Sequence, residues 1–243
     1  MISKSQVKYI QSLGQKKHRD ELGVFIAEGP KLVNELVQQK EAVVEQIFAT
    51  TEWINTNQKH SLNIEIVEIN DTELERISQL TTPNQVVAII KKFRIDEPVV
   101  KGKISLVLET IQDPGNLGTI IRTADWFGIE NIICSEDCAD IYNSKVVQST
   151  MGSIARVKVF YTRLNSWLEN QNDLQIYATM LEGKDVATMS RLDEGLILVG
   201  NESKGISNEL LRFANEEITI RKKGKAESLN AAVATGIILS HLI

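Results

Sequence analysis

Apolar residues recur along the chain with helical and strand spacing, and they predict alternating strands and helices in two parts. In the first part the spacing predicts three helices, over 3–13, 30–39 and 71–77, and Asp71 is expected to be the N-cap of the third. It also predicts four strands, over 24–27, 44–49, 64–69 and 85–93. The charged segment 94–102 contains Pro98 and Gly102 and interrupts this pattern, so we interpret it as a linker.

The second part opens with a near-continuous apolar run over 104–111, which is typical of a strand buried on both faces of a parallel sheet. Helices are predicted over 117–127, 144–151, 162–169, 208–213 and 229–243. Strands are predicted over 131–134, 156–161, 174–180, 196–200 and 217–220. Alternation of this kind implies a mostly parallel sheet covered on both faces. We therefore predict an α/β protein with two domains, 1–93 and 103–243.

The composition fits a globular protein. The chain has 243 residues, of which 42% are hydrophobic, and no uninterrupted apolar stretch reaches the roughly 20 residues of a membrane span. Its beginning, MISKSQVKYIQSLGQKKHRD, lacks the apolar segment of a secretory signal. On these grounds we expect a soluble, cytoplasmic protein.

The cysteines and histidines predict neither a disulfide framework nor a metal site. Cys134 and Cys138 are the two cysteines of the chain, and their spacing differs from the C-x-x-C of redox and zinc motifs. His18, His60 and His241 are far apart in the sequence, which disfavours a His-based metal site. We therefore expect no metal.

The net charge of −5 argues against a nucleic-acid partner, but the charges are distributed unevenly. Two basic clusters stand apart from most acidic residues: Lys4, Lys8, Lys16, Lys17 and Arg19 form one, and Arg221, Lys222, Lys223 and Lys225 form the other. Because salt limits the reach of a charge to about 10 Å, each cluster can bind phosphate whatever the total charge. The alternative is that both clusters are solvated faces without a ligand.

Three loops that follow predicted strands carry residues that packing does not require. In parallel sheets, ligands bind outside the carboxyl ends of the strands. In the first loop, Gly115 and Gly118 allow close approach to the backbone, and Asn116 is expected to cap the helix that follows. Arg122 is expected one turn into that helix. The loop lacks the dinucleotide-binding and P-loop patterns, and a tight turn with a surface arginine is the alternative.

The second and third loops follow the strands predicted at 196–200 and 217–220. Glu202 lies after the first of these strands, at the carboxyl edge of the sheet, although a turn with a solvated glutamate is an equal alternative. In the third loop, Ser228 is expected to be the N-cap of the last helix. Asn230 starts an apolar run that we expect to be buried, where an amide needs hydrogen-bonding partners.

Taken together, the three loops resemble the three motifs of the SpoU family. The chain has Asn-x-Gly-x-x-x-Arg-Thr-Ala at 116–124, Val-Gly-x-Glu-x-x-Gly at 199–205 and Ser-Leu-Asn at 228–230. Over 104–243 it is therefore similar to TrmH-type RNA methyltransferases of the SPOUT superfamily. The first 93 residues resemble that family's small ribosomal-protein-like substrate-binding domain, most clearly in the sequence FIAEG at 25–29.

The resemblance implies a fold, a cofactor and a reaction. The fold is an α/β methyltransferase domain with a trefoil knot near its carboxyl end, preceded by a small α/β domain that binds RNA. The cofactor is S-adenosylmethionine, held in the knot, and the reaction is methyl transfer to a ribose 2'-hydroxyl of RNA. The family also implies a homodimer through the knotted domain, and the accessory domain favours ribosomal over transfer RNA.

The resemblance also assigns roles to individual residues. The catalytic positions are Asn116, Arg122, Glu202, Ser228 and Asn230. The cofactor positions are Thr179, Gly200, Asn201, Gly205, Ile220 and Leu229. The two basic clusters supply the residues expected to bind RNA, which are Lys16, Lys17, Arg19, Arg221, Lys222 and Lys223. Arg221 stands where the family usually has proline, and because proline fixes φ, we expect a more mobile loop here.

The chemistry of methyl transfer fits these assignments. A ribose hydroxyl is a weak nucleophile, so the negative charge that develops on its oxygen must be stabilised. Arg122 can supply the positive charge or clamp the adjacent phosphate, whereas a role as general base conflicts with its permanent protonation. We expect Glu202 to orient either Arg122 or the cofactor, and Asn230, supported by Ser228, to bind ribose hydroxyls.

Three other functions stay open at this point: a tRNA 2'-O-methyltransferase, a base-methylating enzyme of the same superfamily, and a catalytically silent RNA-binding relative. A silent relative would have lost Arg122, Glu202 or Asn230, and all three are present. The pairing of the first motif with Ser-Leu-Asn favours ribose over base chemistry.

Overall fold

A computed structural model of the chain describes residues 2–57 and 64–243 and separates into two compact units. Unit 1 comprises Met1–Arg94 and Tyr142–Ala155, and unit 2 comprises Ile95–Ile141 and Arg156–Ile243. The boundary after residue 94 lies within the segment interpreted as a linker, whereas the inclusion of 142–155 in unit 1 differs from the predicted division. His60 lies outside the described residues.

The described elements follow one another in the order that the alternation predicts. The helices are α1 (Lys4–Ser12), α2 (Lys16–Leu22), α3 (Pro30–Val37), α4 (Thr51–Asn57), α5 (Asp71–Ile77), α6 (Pro114–Trp126), α7 (Ser144–Thr150), α8 (Leu164–Leu168), α9 (Asn208–Leu211) and α10 (Ala231–Leu242). The strands are β1 (Val24–Glu28), β2 (Val44–Ala49), β3 (Glu65–Glu68), β4 (Val86–Lys91), β5 (Ile104–Leu108), β6 (Asn131–Ser135), β7 (Lys158–Thr162), β8 (Ile176–Asp185), β9 (Gly195–Val199) and β10 (Glu216–Thr219).

Unit 1 is built on a four-stranded sheet with the order β1-β4-β2-β3. Strand β4 runs antiparallel to β1 and β2, whereas β2 and β3 are parallel. Phe48 and Ile89 are buried on this sheet and belong to one apolar cluster with Ile10 of α1 and Ile77 of α5. The cluster explains why the apolar spacing of these helices is visible in the sequence, because each helix has one face in the core.

Helix α5 begins one residue before the position expected from the sequence. The prediction that Asp71 is the N-cap is wrong, because Asn70 occupies that position. The Asn70 side chain accepts a hydrogen bond from the Glu73 backbone, and the Glu73 carboxylate accepts one from the Asn70 backbone. Reciprocal bonding of this kind is a capping box, and it satisfies two backbone donors at the start of the helix.

The segment 142–155 joins β6 to β7, yet it packs with the sheet of unit 1. Within that unit, Gln148 of α7 donates a hydrogen bond to the backbone carbonyl of Glu28 at 2.8 Å. The ring of Tyr142 lies 4.9 Å from the ring of Phe25, measured between centroids. Helix propensity and apolar spacing predicted α7 itself, but spacing along the chain carries no information about which sheet receives a helix.

Unit 2 contains a six-stranded sheet with the order β10-β8-β9-β5-β6-β7, and every neighbouring pair is parallel. The prediction of a mostly parallel sheet is therefore confirmed. Leu106, Val107 and Leu198 are fully buried in the central strands, as the continuous apolar runs indicate. The chain leaves β5 toward β6 and β7 and then returns past it to β8 and β9. Ligands of such sheets bind at the carboxyl ends near this change of direction.

Two short helices were absent from the predictions, and both lack a clear apolar period. Helix α2 has the sequence KKHRDEL, in which charged residues dominate, and α4 has the sequence TEWINTN. Strand β8 extends five residues beyond the predicted end at 180, because its second half pairs with β10. The trefoil knot stays a prediction for this chain.

Candidate active site

The first motif forms the N-terminal turn of α6, which begins three residues earlier than expected. The prediction that Asn116 caps this helix is wrong, because Asp113 is the N-cap and accepts a hydrogen bond from the Asn116 backbone at 2.8 Å. Pro114 follows at the first helical position, where its fixed φ favours the helix and its missing N–H costs nothing. Asn116 therefore lies inside the first turn, and its side-chain amide is free for other contacts.

The amide of Asn116 joins the three motifs in one hydrogen-bonded network. Its Nδ2 donates to Oε1 of Glu202 at 2.5 Å, and its Oδ1 accepts from Nδ2 of Asn230 at 2.8 Å. The three residues follow β5, β9 and β10, which belong to the same parallel sheet. Residues separated by 86 and 114 positions in sequence thus meet at the carboxyl edge of unit 2.

Asn230 is also the N-cap of α10. Its Oδ1 accepts hydrogen bonds from the backbone N–H groups of Ala232 at 3.0 Å and Val233 at 3.2 Å. The prediction of Ser228 as N-cap is therefore wrong, because α10 begins two residues later than expected. Asn230 is exposed and not buried, but both ends of its amide have partners. Ser228 is exposed and makes no hydrogen bond within the described part of the chain.

The turn that carries Glu202 is fixed mainly by its neighbour Asn201. Oδ1 of Asn201 accepts from the backbone N–H groups of Ser203 at 2.9 Å and Lys204 at 3.1 Å. The backbones of Asn201 and Gly205 also exchange two hydrogen bonds across the turn. Asn201 therefore holds the turn with both its side-chain oxygen and its backbone.

Glycine is required at position 200 by close approach of the backbone. A Cβ placed there would collide with the carbonyl group of Gly205 and with the backbone nitrogen of Ile206. Gly205 itself has a φ of +68°, which favours glycine because it has no Cβ to clash. The two glycines of the second motif therefore have a physical role in shaping the turn.

Arg122 lies in the third turn of α6, farther from the helix start than predicted, because the helix begins at Pro114. Its side chain is exposed and has neither a hydrogen bond nor an ion pair with any described residue. The carboxylate of Glu202 bonds Asn116, so the structure does not show it orienting Arg122. A guanidinium without an internal partner has all its donors available for an external anion.

The residues predicted to hold a cofactor lie on three neighbouring strands or the loops after them. Thr179 is half-buried in β8, one residue after the last pairing of that strand with β9. Between 179 and 183 the register of β8 against β10 shifts, so these residues leave the ladder. Ile220 follows β10 and is half-buried, while Leu229 is 45% exposed. Sequence spacing could not show this irregularity, because it depends on pairing between strands.

The loop 221–230 has no regular secondary structure, and each of its residues is exposed. Arg221, Lys222, Lys223 and Lys225 have no ion pair with any residue that the structure describes. Four unpaired cations within five positions create a local positive potential beside Asn230.

The N-terminal basic cluster contains one residue that cannot contact RNA as predicted. Arg19 is only 3% exposed, and its Nη1 donates to the backbone carbonyls of Leu13 at 2.8 Å and Gly14 at 2.9 Å. Its guanidinium thus satisfies carbonyl groups at the end of α1, where helix termini leave acceptors without partners. Lys16 and Lys17 are exposed on α2, and Lys17 lies 3.8 Å from Glu21.

The cysteines are buried and free, and no disulfide joins them. Burial raises the pKa of Cys134, whereas a hydrogen bond from Cys134 lowers the pKa of Cys138 to about 7. Over residues 2–57 and 64–243, no group of three or more His, Cys, Asp or Glu side chains is arranged to hold a metal ion. None of the described helices has the length and apolarity needed to span a bilayer.

Sequence reasoning did not single out Thr110, Asp113 or Asp137. The Asp-Pro pair at 113 and 114 is a recognised start signal for a helix and could have identified Asp113. Thr110 has a φ of +56°, a conformation that nothing in its sequence context indicates. A cavity of about 360 Å³ lies beside Thr110 and Asp137, and it does not include Asn116, Glu202 or Asn230.

Comparison with known families gives matches over both parts of the chain. The SpoU rRNA Methylase family matches residues 103–240, and the MRM3-like substrate binding domain matches residues 4–88. These ranges include the three motifs and the sequence FIAEG, respectively.

Individual relatives resemble the chain over nearly its whole length. The 23S rRNA (guanosine(2553)-2'-O)-methyltransferase RlmP of Bacillus subtilis is 29% identical, covering 98% of this chain and 95% of that protein. The 23S rRNA (uridine(2479)-2'-O)-methyltransferase of Streptomyces viridochromogenes is 26% identical, covering 95% of this chain and 86% of that protein. The structure of an AdoMet-bound rRNA methyltransferase from Sinorhizobium meliloti is 32% identical with a TM-score of 0.85, covering 100% of this chain and 96% of that chain.

Proposed function

Because the chain belongs to the SpoU rRNA methylase family, we propose that it transfers a methyl group from S-adenosylmethionine to a ribose 2'-hydroxyl of ribosomal RNA. The observation that carries this proposal is the contact of Asn116 with both Glu202 and Asn230. It brings one polar residue from each of the three motifs to a single edge of the parallel sheet, where such sheets bind ligands.

The residues at this edge fit the cofactor. The close packing of Gly200 against Gly205 leaves backbone without side chains next to the end of β9, and backbone of this kind can approach a ligand closely. Ile220 and Leu229 offer apolar surface to a purine ring, and Thr179 offers a hydroxyl. These residues would hold S-adenosylmethionine, which supplies an electrophilic methyl group when bound.

The exposed guanidinium of Arg122 acts on the RNA side of the reaction. It binds the phosphate next to the target ribose, or it stabilises the negative charge that develops on the 2'-oxygen as the new bond forms. A planar guanidinium can do this through two parallel hydrogen bonds, which a lysine cannot reproduce. Because the guanidinium stays protonated near neutral pH, its function is electrostatic and not that of a proton acceptor.

Asn116 and Asn230 have a positioning function. Their hydrogen bond ties the first turn of α6 to the first turn of α10, so Glu202, Arg122 and the basic loop are carried by elements that are fixed to one another. Preorganised groups lower the barrier because they need no rearrangement as charge develops. The exposed side of these amides is then available to ribose hydroxyls.

RNA binding is supported by the two groups of exposed cations, each on its own unit. In unit 2 the group consists of Arg221, Lys222 and Lys223, and in unit 1 it consists of Lys16 and Lys17. Contacts between such side chains and phosphates release counterions, so the affinity for RNA should fall steeply as salt rises.

Ribosomal RNA is favoured as the substrate over transfer RNA. Two relatives that span most of this chain are named as 23S rRNA 2'-O-methyltransferases, one acting on a guanosine and the other on a uridine. Since the two named nucleotides differ, the relatives support the class of RNA and not the position. A ribosomal substrate also fits a cytoplasmic location.

A homodimer through unit 2 is supported by apolar surface on two helices that pack together. Trp126 of α6 is 85% exposed and Val233 of α10 is 52% exposed, and α6 contacts α10 directly. Large apolar side chains exposed on adjacent helices are typical of a protein interface. The trefoil knot is proposed from membership of the family.

The test of this function compares the modified ribose positions in total RNA from cells with and without the gene. We expect one 2'-O-methyl position to disappear from ribosomal RNA and to return when the wild-type gene is restored. Loss of a position from transfer RNA would instead support the tRNA enzyme. An unchanged map of 2'-O-methylation would contradict the proposal.

A further inference from the structure

Thr110 has a strained backbone next to the candidate active site. Its φ of +56° lies in the left-handed region, which is unfavourable for a β-branched residue. Strain of about 1–3 kcal/mol persists only where surrounding interactions enforce it, and such positions cluster at functional sites. A glycine would adopt this conformation without strain, so stability alone does not explain a threonine here.

The last residue of β6 and the loop after it hold Thr110 in this conformation through two hydrogen bonds, and a third joins the two residues that accept them. The backbone N–H of Thr110 donates to Oγ of Ser135 at 2.8 Å, and its hydroxyl donates to Oδ2 of Asp137 at 2.8 Å. The Ser135 hydroxyl donates to the other oxygen of Asp137 at 2.5 Å. Both oxygens of Asp137 are thus used to fix the turn after β5. We call these three residues the clamp.

The charge state of Asp137 suits this arrangement. Partial burial raises the pKa of Asp137, but the hydrogen bonds from Ser135 and Thr110 outweigh burial and hold the pKa below its ordinary value. An ionised carboxylate accepts hydrogen bonds and donates none, so it can receive both hydroxyl groups at once.

The turn after β5 receives further support from the same loop. Sγ of Cys138 accepts a hydrogen bond from the backbone N–H of Ile111 at 3.2 Å, and the N–H of Ala139 donates to the Ile111 carbonyl at 2.8 Å. The loop after β6 therefore contacts Thr110 and Ile111 along both backbone edges. Such redundancy matches the requirement that a strained residue be held by several interactions.

The clamp reaches the second motif through the carbonyl group of Thr110. This carbonyl accepts a hydrogen bond from Nδ2 of Asn201 at 2.9 Å. The same asparagine fixes the backbone of the turn that carries Glu202. A chain of hydrogen bonds thus runs from Asp137 to Thr110, then to Asn201, and on to the turn whose glutamate bonds Asn116.

We propose that the clamp positions Glu202 for methyl transfer, with Asp137 as a positioning residue that acts through Thr110 and Asn201. The proposal rests on the proposed function, because it assigns a purpose to the geometry of that site. The carboxylate of Asp137 holds the strained turn, the turn presents its carbonyl to Asn201, and Asn201 holds Glu202 against Asn116.

The first test is the turnover of Asp137→Ala measured as methyl incorporation into ribosomal RNA. We expect turnover to fall about 100-fold, the scale for a mutation that misplaces a group of the active site. Asp173→Ala is the matched control, because Asp173 is an exposed carboxylate of the same unit with no hydrogen bond in the described structure, and it should retain wild-type turnover. Asp137→Asn keeps one acceptor oxygen, so its turnover should lie between those of Asp137→Ala and the wild type.

A double-mutant cycle separates positioning from a general loss of stability. If Asp137 acts through Glu202, then Asp137→Ala combined with Glu202→Ala should be no slower than Glu202→Ala alone. A purely structural role would multiply the two losses, and this outcome would overturn the proposal. Thr110→Gly is a second variant that relieves strain, so it should unfold at the same or a higher temperature while turnover falls.

Hydrogen exchange tests the clamp independently of activity. Asp137→Ala should increase amide exchange in the peptide 199–206, which contains the backbone pair of Asn201 and Gly205, whereas Asp173→Ala should not. If the wild-type protein does not methylate ribosomal RNA but amide exchange rises in Asp137→Ala, the proposed function is wrong. The clamp would then still be shown to hold the turn that carries Glu202. If the wild type is active while exchange and turnover of Asp137→Ala match the control, the clamp is wrong.

Discussion

The side-chain amide of Asn230 donates a hydrogen bond to Oδ1 of Asn116 at 2.8 Å, although 114 positions separate the two residues. The same Asn230 side chain caps α10 through its oxygen. One residue therefore stabilises a helix with one end of its amide and organises the candidate active site with the other. The two roles can be separated by substitution.

Asn230→Ser should retain the cap and lose the contact with Asn116, because serine is a good N-cap but is too short to reach across. Asn230→Ala should lose both. We expect Asn230→Ala to reduce the free energy of unfolding by about 1 kcal/mol relative to Asn230→Ser, while both variants lose methyl transfer to a similar extent. Denaturant unfolding and methyl incorporation measure the two effects. Wild-type turnover in Asn230→Ser would contradict a role for the contact.

Substitutions at Arg19 and at its basic neighbours should have different effects. Arg19→Ala leaves the buried carbonyl of Leu13 and the partly buried carbonyl of Gly14 without their donor, which should reduce the free energy of unfolding by about 1–3 kcal/mol. Lys16→Ala with Lys17→Ala should leave stability unchanged and weaken RNA binding, with a smaller dependence of affinity on salt. Thermal unfolding and RNA titrations at several salt concentrations distinguish the two. Unchanged RNA affinity in the double lysine variant would show that these side chains are a solvated face.

Glu28 should make the stability of unit 1 depend on pH. Burial raises the pKa of this carboxyl group more than the hydrogen bonds from Ser78 and Gln79 lower it. A carboxyl group whose pKa is raised by folding stabilises the protein most at a pH below the pKa of the unfolded state. This stabilisation is lost as the pH rises through the pKa of the folded state. The stability of the wild type relative to Glu28→Gln, measured as the free energy of unfolding, should therefore be greater at about pH 4.5 than at pH 7. A difference that does not change between these two conditions would contradict the burial effect.

The exposed apolar residues of α6 and α10 predict association of two chains. Sedimentation at micromolar concentration should give twice the chain mass of 27.2 kDa. Trp126→Glu places a charge in the proposed interface and should shift the mass toward a single chain, since an unpaired buried charge is strongly unfavourable. Leu181→Glu is the control, because Leu181 is also an exposed apolar residue but lies on β8. A wild-type mass of one chain would contradict the dimer.

Arg122→Ala should reduce turnover by at least about 100-fold, the scale for loss of one preorganised charge stabiliser. The affinity for S-adenosylmethionine without RNA should change little, because the sulfonium is a cation and gains nothing from a nearby guanidinium. Arg122→Lys should recover little activity, since an ammonium group lacks the fork geometry. Calorimetric binding and methyl incorporation form the required pair of measurements. Loss of cofactor affinity in proportion to turnover would place Arg122 in the cofactor pocket instead.

The elements that the sequence predicted well are those in which local pattern and tertiary packing agree. The apolar run at 104–111 is buried in the centre of the parallel sheet as β5, and the helix over 3–13 has Ile10 in the core as α1. By contrast, α2 owes its position to Arg19, a polar residue that bonds loop carbonyls. Hydrophobic periodicity cannot detect a helix fixed in that way.

The sequence predicted which residues belong to the candidate site, but it did not predict the contacts between them. The motifs identified Asn116, Glu202 and Asn230 as polar residues at strand ends, and the structure joins them. Which of these caps a helix could not be decided, because Asp113, Asn116, Ser228 and Asn230 all have side chains suited to capping. The strain at Thr110 depends on a loop 25 residues away, so no local pattern indicates it.

The identity of the methylated nucleoside tests the central claim most directly. Purified protein, S-adenosylmethionine with a labelled methyl group and ribosomal RNA from cells lacking the gene are combined, and the RNA is digested to nucleosides for mass spectrometry. We predict that the label is found on the ribose of a single 2'-O-methylated nucleoside, at a position absent from the untreated RNA. Label on a base, or RNA without label, would contradict the account.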